Sequence, residues 1–290
     1  MLLHIRDIEQ LSATLRCFTL APVSGDLPVA GPGAHIRLAV PGQPTPNAYS
    51  LTAHSRIAYQ IIVRLAPRSR GGSAWLHHQA RIGDTLHATA PQNLFPLARL
   101  AKHQLLVSAG IGATPFLSYV QTPNLPFTWH HFCKPEDAPA FTRLLPAHIH
   151  TTRGPINLAT QPLGTHLYLC GPEAFMETMQ DNARHLGWPP AKIHTESFAH
   201  AAGGAPFTAQ LARSARTLHI GAEQTLLEAL EAAGLAPQYL CRGGVCGACE
   251  IPVLAGTPEH RDRVLPADRR PTAIMSCVSR ALTPELVLDL

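Results

Sequence analysis

Apolar and polar residues alternate over short runs in the first third of the chain. The runs are TLRCFTLAP (14–22), GAHIRLAV (33–40), AYSLTAH (48–54), AYQIIVRLA (58–66) and DTLHATAP (84–91), with Pro and Gly between them. Alternation turns one face of a strand to the core and the other to water, so each run predicts a strand. Several short strands in succession predict a small antiparallel β-barrel over residues 1–98. Only AWLHHQ (74–79), after a Gly-Gly-Ser turn, reads as helical in this part.

The rhythm changes over residues 99–199. The apolar strands QLLVSAG, FTWHHFC, HIHTTR, THLYLCG and KIHTESF alternate with the helical stretches PFLSYVQ, EDAPAFTRLL and PEAFMETMQDNARHLG. Strand–helix alternation predicts an α/β domain with a parallel sheet and covering helices. AHAAGGAPF (199–207) is small and Gly-rich and reads as a linker. Over 207–290, FTAQLARSARTLHI predicts a hairpin, TLLEALEAAG a short amphipathic helix and ELVLDL a terminal strand, an α+β pattern. The chain is thus expected to be multidomain.

Composition narrows the function classes. The 290 residues are 46% hydrophobic and 14% charged, which suits packed domains. A net charge of +4 without a dense Lys/Arg run argues against nucleic acid as a partner. MLLHIRDIEQ is too charged for a signal peptide, and no apolar run is long enough to span a bilayer, so no membrane role is expected. Of the seven cysteines, Cys17, Cys133 and Cys170 stand apart in apolar contexts. They read as reduced thiols and point to the cytoplasm. The adjacent His130 and His131 would face opposite sides of a strand and make a poor joint metal site.

The other four cysteines carry the sharpest chemical signal. Cys241, Cys246 and Cys249 are spaced C-x4-C-x2-C, and Cys277 follows after a long gap. This is the ligand pattern of a plant-type 2Fe–2S cluster. Gly243, Gly244 and Gly247 let the loop fold tightly and leave N–H groups for the sulfurs. Structural zinc is the rival reading, but such sites more often pair two short Cys hairpins or mix in His at fixed offsets.

Other motifs are weaker taken singly. Asn47, Tyr49, Ser50, Leu51 and Thr52 lie on a predicted strand. Arg70-Gly71-Gly72-Ser73 offers a turn with free N–H groups that suits a phosphate. Gly110 and Gly112, in SAGIGATP, permit close approach of a ligand to the backbone at a strand end. Thr114 is placed to cap the next helix, with Pro115 at its first position. Cys170-Gly171-Pro172 again joins a strand to a helix. Open α/β sheets bind ligands at such strand ends.

In this order, the motifs make the chain resemble the phthalate dioxygenase reductase family, which includes vanillate demethylase reductases, over essentially its whole length. The resemblance implies an FMN-binding barrel, an NAD-binding domain and a C-terminal β-grasp ferredoxin domain (207–290). It implies that Tyr49 and Ser50 lie against the isoalloxazine and that Gly71, Gly72 and Ser73 hold the FMN phosphate. It places Thr114 near the nicotinamide and flavin, Cys170 and Gly171 in the nicotinamide pocket, and Phe198 beside the flavin. Pro91, Asn93 and Phe95 match the segment closing the barrel, and HRDRVL (260–265) the stretch before the fourth Cys. The family's flavin strand begins Arg-x-Tyr-Ser, whereas here the position is Asn47. Neutral hydrogen bonds are roughly half as strong as charged ones, so Arg64, Arg68 or Arg70 is expected to compensate at the phosphate.

The implied activity is an NADH-dependent reductase that passes electrons through FMN and the 2Fe–2S cluster to an oxygenase. A Rieske-type aromatic oxygenase or demethylase is the favoured acceptor and a haem monooxygenase the alternative. The chain is expected to be a monomeric reductase that docks transiently. Glu136 and Asp137, at the end of the second strand of the NAD domain, favour NADH by accepting from a ribose hydroxyl, while Lys134 points the other way. An iron–sulfur redox sensor with a vestigial flavin site is the reading from a different class, and Asn47 is its support.

Overall fold

The computed structural model describes residues 1–43, 46–67, 69, 71–152, 154–198 and 203–290. These form two compact units, Met1–Ser197 and Phe198–Leu290.

The first unit opens with a strand the alternation did not reveal, β1 (Leu2–Gln10). Leu3 and Ile5 point inward, but a bulge between Ile5 and Asp7 breaks the period and leaves Arg6, Asp7 and Glu9 outside the core. Then come β2 (Leu15–Pro22), β3 (His35–Ala39), β4 (Asn47–Ser50), β5 (Ala53–His54), β6 (Tyr59–Arg64), helix α1 (Gly72–His78) and β7 (Thr85–Ala88). The seven strands pair antiparallel in the order β4-β3-β7-β1-β2-β6-β5. Their inward residues, among them Leu3, Phe18, Ile36, Leu51, Tyr59 and Ile61, make one core.

The same unit continues with β8 (His103–Ala109), a single 3-10 turn over Gly110–Ala113, α2 (Thr114–Tyr119), β9 (Phe127–Phe132), α3 (Ala138–Leu144), β10 (His148–His150), β11 (Thr165–Cys170), α4 (Glu173–His185) and β12 (Ile193–Glu196). The five strands are parallel, in the order β10-β9-β8-β11-β12. The order reverses about β8, so the carboxyl ends of β8 and β11 flank the crevice where such sheets bind ligands. Leu105, Val107, Leu167, Leu169 and Met176 pack on one face. Leu106, Phe116, Trp129 and Tyr168 pack on the other, together with Leu15, Ile62 and Phe95, so this second core joins the two sheets. Phe95 is its hinge pin: its ring meets Phe116, Tyr119 and Tyr168 within 6 Å, while Asn93 fixes the backbone through the Phe95 N–H.

The second unit holds β13 (Phe207–Leu211), β14 (Arg216–Ile220), α5 (Leu226–Ala232), β15 (Glu250–Ala255), β16 (Pro258–Glu259), β17 (Ala273–Met275), β18 (Arg280–Ala281) and β19 (Glu285–Leu288). β13 and β14 form the expected hairpin, and β13 runs parallel to β19 at the sheet centre. α5 starts at a capping box: Thr225 Oγ1 accepts from the Glu228 N–H, and the Glu228 carboxylate accepts from the Thr225 N–H. This mixed sheet with a packed helix is the expected β-grasp. The linker reading over 199–207 falls partly on 199–202, outside the described residues. Its far end is pinned: Arg261 donates to Gly203 O, and the buried Arg280 donates to Ala205 O.

Candidate functional site

The cysteine loop follows α5 and returns into β15. Gly244 and Gly247 take φ of 70° and 80°, and the non-glycine Arg242 takes 53°. Arg242 holds this strained conformation through an ion pair with Glu231 and a cation–π contact with Tyr239 at 4.0 Å. A Cβ on Gly244 would stand 2.6 Å from Val278 and 3.1 Å from Asp262 Cα, so the loop closes only on glycine. Asp262 lies in the HRDRVL segment and braces this wall: its carboxylate accepts from the N–H groups of Val264 and Leu265 and from Ser279 Oγ.

The four thiols converge. Cys249 Sγ and Cys277 Sγ are 3.1 Å apart, and Cys277 also hydrogen-bonds Cys241, which lowers the Cys241 and Cys249 thiols and raises that of Cys277. The Gly243 N–H donates to Cys241 Sγ at 3.3 Å and the Cys241 N–H to Cys246 Sγ at 3.4 Å. Thiols in mutual contact lie closer than the roughly 3.7 Å expected of two sulfurs on one tetrahedral metal with ~2.3 Å bonds. Accordingly, no trio of His, Cys, Asp or Glu among the described residues stands at the spacing of a metal shell. Four thiols reached by backbone N–H donors do fit a 2Fe–2S cluster, which needs four thiolates and is tuned by such donors.

A second group of residues lies in the first unit. Gly71 takes φ 119°, and a Cβ on Gly72 would stand 2.1 Å from Asn47 Nδ2 and 3.5 Å from Tyr49 Oη. Asn47, Tyr49 and the turn therefore enclose one small polar cradle. Asn47 hydrogen-bonds Tyr49, whose hydroxyl burial pushes up to about 12. The Ser69 hydroxyl accepts from the N–H groups of Gly71 and Ala74 and from Ser73 Oγ, so several donors aim at one spot. Such a cradle fits a phosphate. Next along the strand, Leu51 is in the core, while Ser50 Oγ and Thr52 Oγ1 are buried without a partner among the described residues. Buried hydroxyls are normally satisfied, so an unpaired pair marks a place where a ligand's polar edge fits.

Of the expected compensating cations, Arg68 and Arg70 lie outside the described residues. Arg64 points elsewhere. Its Nη2 stands 3.6 Å from Asp137 Oδ2, and its Nη1 lies 3.1 Å from where a Gly110 Cβ would be. Asp137 is itself buried and accepts from Ser12 Oγ and Thr14 Oγ1 at 3.0 Å each. That carboxylate ties the two sheets together rather than standing open for a ribose.

The strand ends of the parallel sheet make the third group. Gly110 has φ 56°. A Cβ on Gly112 would meet Cys170 O at 2.3 Å and Gly171 N at 2.8 Å, so the Gly110–Gly112 turn and the Cys170–Pro172 segment pack backbone to backbone. Thr114 is not the helix cap: Ala113 holds that position, and Thr114, already helical, donates to Ile111 O at 2.9 Å. Pro115 follows in the first turn, where its missing N–H costs nothing. Cys170 is fully buried, and Phe198, first residue of the second unit, is 39% exposed.

Sequence reasoning passed over Glu196. It ends β12 in register with Cys170. Its Oε2 is buried without a partner among the described residues, and burial pushes the carboxyl up to about 8. Burial and then this neighbour push the Cys170 thiol well above the usual range. Its only sequence signal is an acid at a strand end within Glu-Ser-Phe. His130 and His131 face opposite sides of β9, as expected of adjacent strand residues. His130 pairs with His150, while its neighbour His131 turns to the other face and meets Ser108 Oγ.

Residues 209–282 match the family described as 2Fe-2S iron-sulfur cluster binding domain. Over 99% of its length the chain is 39% identical to the haem-dependent oxidative N-demethylase beta subunit of Ectopseudomonas mendocina (strain ymp), covering 98% of that protein. It is 34% identical to phthalate dioxygenase reductase of Burkholderia cepacia, over 99% of this chain and 97% of the relative. A solved phthalate dioxygenase reductase, described as a modular structure for electron transfer from pyridine nucleotides to [2Fe-2S], superposes with a TM-score of 0.82 over 100% of this chain and 98% of that one, at 34% identity. The shared architecture, the cluster domain and these identities together show that the chain belongs to the phthalate dioxygenase reductase family of modular flavin, NAD and 2Fe–2S oxidoreductases, the reductase components of oxygenases.

Proposed function

We propose that residues 1–98 bind FMN, 99–199 bind NADH and 207–290 carry the 2Fe–2S cluster, and that electrons pass from NADH through FMN and then the cluster to a Rieske-type oxygenase. The observation that carries this reading is the convergence of Cys241, Cys246, Cys249 and Cys277 under backbone N–H donors. When bound, a flavin accepts a hydride as two electrons and can release them singly, and a 2Fe–2S cluster carries one at a time.

The chain's own residues bind, orient and exclude water. Asn47, Tyr49, Gly71, Gly72 and Ser73 hold the flavin phosphate. Ser50 and Thr52 offer hydroxyls to the ring edge, and Leu51 fixes their strand in the core. Gly110 and Gly112 let the coenzyme backbone approach β8, while Thr114 and Pro115 set the turn beneath it. Cys170, Gly171 and Pro172 form the floor of the nicotinamide pocket, and Glu196 keeps its proton there at neutral pH.

A plant-type cluster near about −400 mV lies below a Rieske centre at about −150 to +300 mV, so the transfer runs downhill. The 39% identity to a subunit of a haem-dependent demethylase supports a second reading, in which the oxygenase is a haem protein. Reconstitution with each oxygenase class decides between them.

Anaerobic addition of NADH to the purified holoprotein tests the function. Bleaching of both flavin and cluster bands is expected. A cluster spectrum with no flavin and no response to NADH would instead support a redox sensor.

A further inference from the structure

We propose that His260 is held as an imidazolium between Asp262 and the Arg270 carbonyl, and that this cation tunes the reduction potential of the cluster site and makes that potential fall as pH rises. The inference rests on the reading above that Cys241, Cys246, Cys249 and Cys277 hold a 2Fe–2S cluster.

His260 follows β16 and opens the HRDRVL segment. Its Nδ1 stands 3.2 Å from Asp262 Oδ1 and its Nε2 2.8 Å from Arg270 O. A carbonyl oxygen can only accept, and so can an ionised carboxylate. The surroundings of Asp262 keep it ionised. Its Oδ2 accepts from the Val264 and Leu265 N–H groups at 3.2 and 2.8 Å, and its Oδ1 accepts from Ser279 Oγ at 3.3 Å. The Ser279 oxygen takes the Arg261 N–H at 3.2 Å, which leaves its own proton for Asp262. Burial alone would raise this carboxyl, but the Leu265 N–H, His260 and the Val264 N–H hold it below its ordinary value. A neutral imidazole has one N–H and serves one of the two acceptors; only the protonated ring serves both. Little water competes, since the His260 side chain is 11% exposed and that of Asp262 0%.

The pair backs onto the cysteine loop. Asp262 Cα lies 3.1 Å from where a Gly244 Cβ would be, between Cys241 and Cys246, and the Arg263 N–H donates to Gly244 O at 2.9 Å. One-electron reduction adds negative charge to a site of four thiolates, so a cation behind its wall favours the reduced form; net charge is one of the levers on such potentials. The other charged groups about the ring are Arg261, paired with Glu259, then Arg263, Asp268 and Arg270, whose Nε donates to Leu265 O, and Arg280 across the β16–β18 pair. Arginine keeps its charge, whereas histidine ordinarily changes charge between about pH 5 and pH 8. Among these groups His260 is therefore the one through which pH reaches the cluster site.

The test is an EPR-monitored redox titration of the holoprotein from about pH 6 to about pH 10. The wild-type cluster potential is expected to fall as pH rises. His260→Gln removes the charge and should make the potential independent of pH. At the acid end its equilibrium constant for cluster reduction should be about tenfold below wild type, which is about 59 mV for one electron. His260→Lys keeps a cation and should hold the potential near the acid-end wild-type value, with a weaker slope. NADH-to-ferricyanide transfer should be unchanged in both variants, since reduced flavin feeds that dye directly. A purely structural role predicts equal shifts in the two variants, with the wild-type slope kept. That result, or a wild-type potential that is flat over this range, would overturn the proposal. If His260→Gln does not retain the cluster, the wild-type slope and the His260→Lys protein still decide. Wild-type protein with no 2Fe–2S spectrum would overturn the cluster reading itself, a separate failure.

Discussion

Glu196 shows how one carboxyl can be governed by where it is buried. Its ordinary value of 4.5 is raised to about 8 by loss of water. Between those values the folded chain holds a proton that the unfolded chain releases. This contribution to stability is full below pH 4.5 and is lost as pH rises toward 8. Glu196→Gln removes that dependence. Denaturant unfolding should find the variant about 1–3 kcal/mol more stable than wild type at pH 9 and little changed at pH 5. Equal offsets at both pH values would show that the carboxyl does not titrate in this window. Asn47 poses the opposite case, a neutral group where the family's Arg-x-Tyr-Ser motif implies a charge. Asn47→Arg should tighten FMN by roughly one to two orders of magnitude, since a charged hydrogen bond contributes about 1.5–3 kcal/mol. Titration of apoprotein with FMN measures this. An unchanged Kd would mean that the Gly71–Ser73 turn and its hydroxyls already saturate the phosphate.

The strand-to-helix turns are where backbone, not side chains, makes the site. Gly112→Ala puts a methyl 2.3 Å from Cys170 O, a contact that backbone must yield to. KM for NADH should rise by an order of magnitude or more, with flavin content intact; an unaffected KM would mean that the turn does not touch the coenzyme. The capping box of α5 is a simpler case. Thr225→Ala should cost about 1 kcal/mol, with the cluster retained. These turns were legible as sequence because Gly, Thr, Pro and Cys stand at fixed offsets beside apolar runs. The barrel strands from β2 onward were legible for the same reason. β1 was not, because its bulge shifts the alternation after Ile5. Nor were β15 to β18, three of them only two or three residues long. Glu196, Asp137 and Arg64 could not be ranked from sequence at all. Their properties come from burial and from partners tens of residues away, such as Ser12 for Asp137.

Of the five apolar cores among the described residues, three bear on the candidate site. One closes the antiparallel sheet, one locks that sheet to the parallel sheet through Phe95, and one supports the cysteine loop beside α5. The family places these parts in a single reductase, and its members' oxygenase partners explain why a one-electron carrier follows a hydride acceptor. No helix among the described residues is long and apolar enough to cross a membrane. The relay order is tested most directly by Cys246→Ser, assayed with two acceptors. Cluster absorbance should be lost, NADH-to-ferricyanide transfer should survive on the flavin, and electron delivery to the native oxygenase should collapse. Full delivery to the oxygenase by a Cys246→Ser protein that lacks the cluster would contradict the relay.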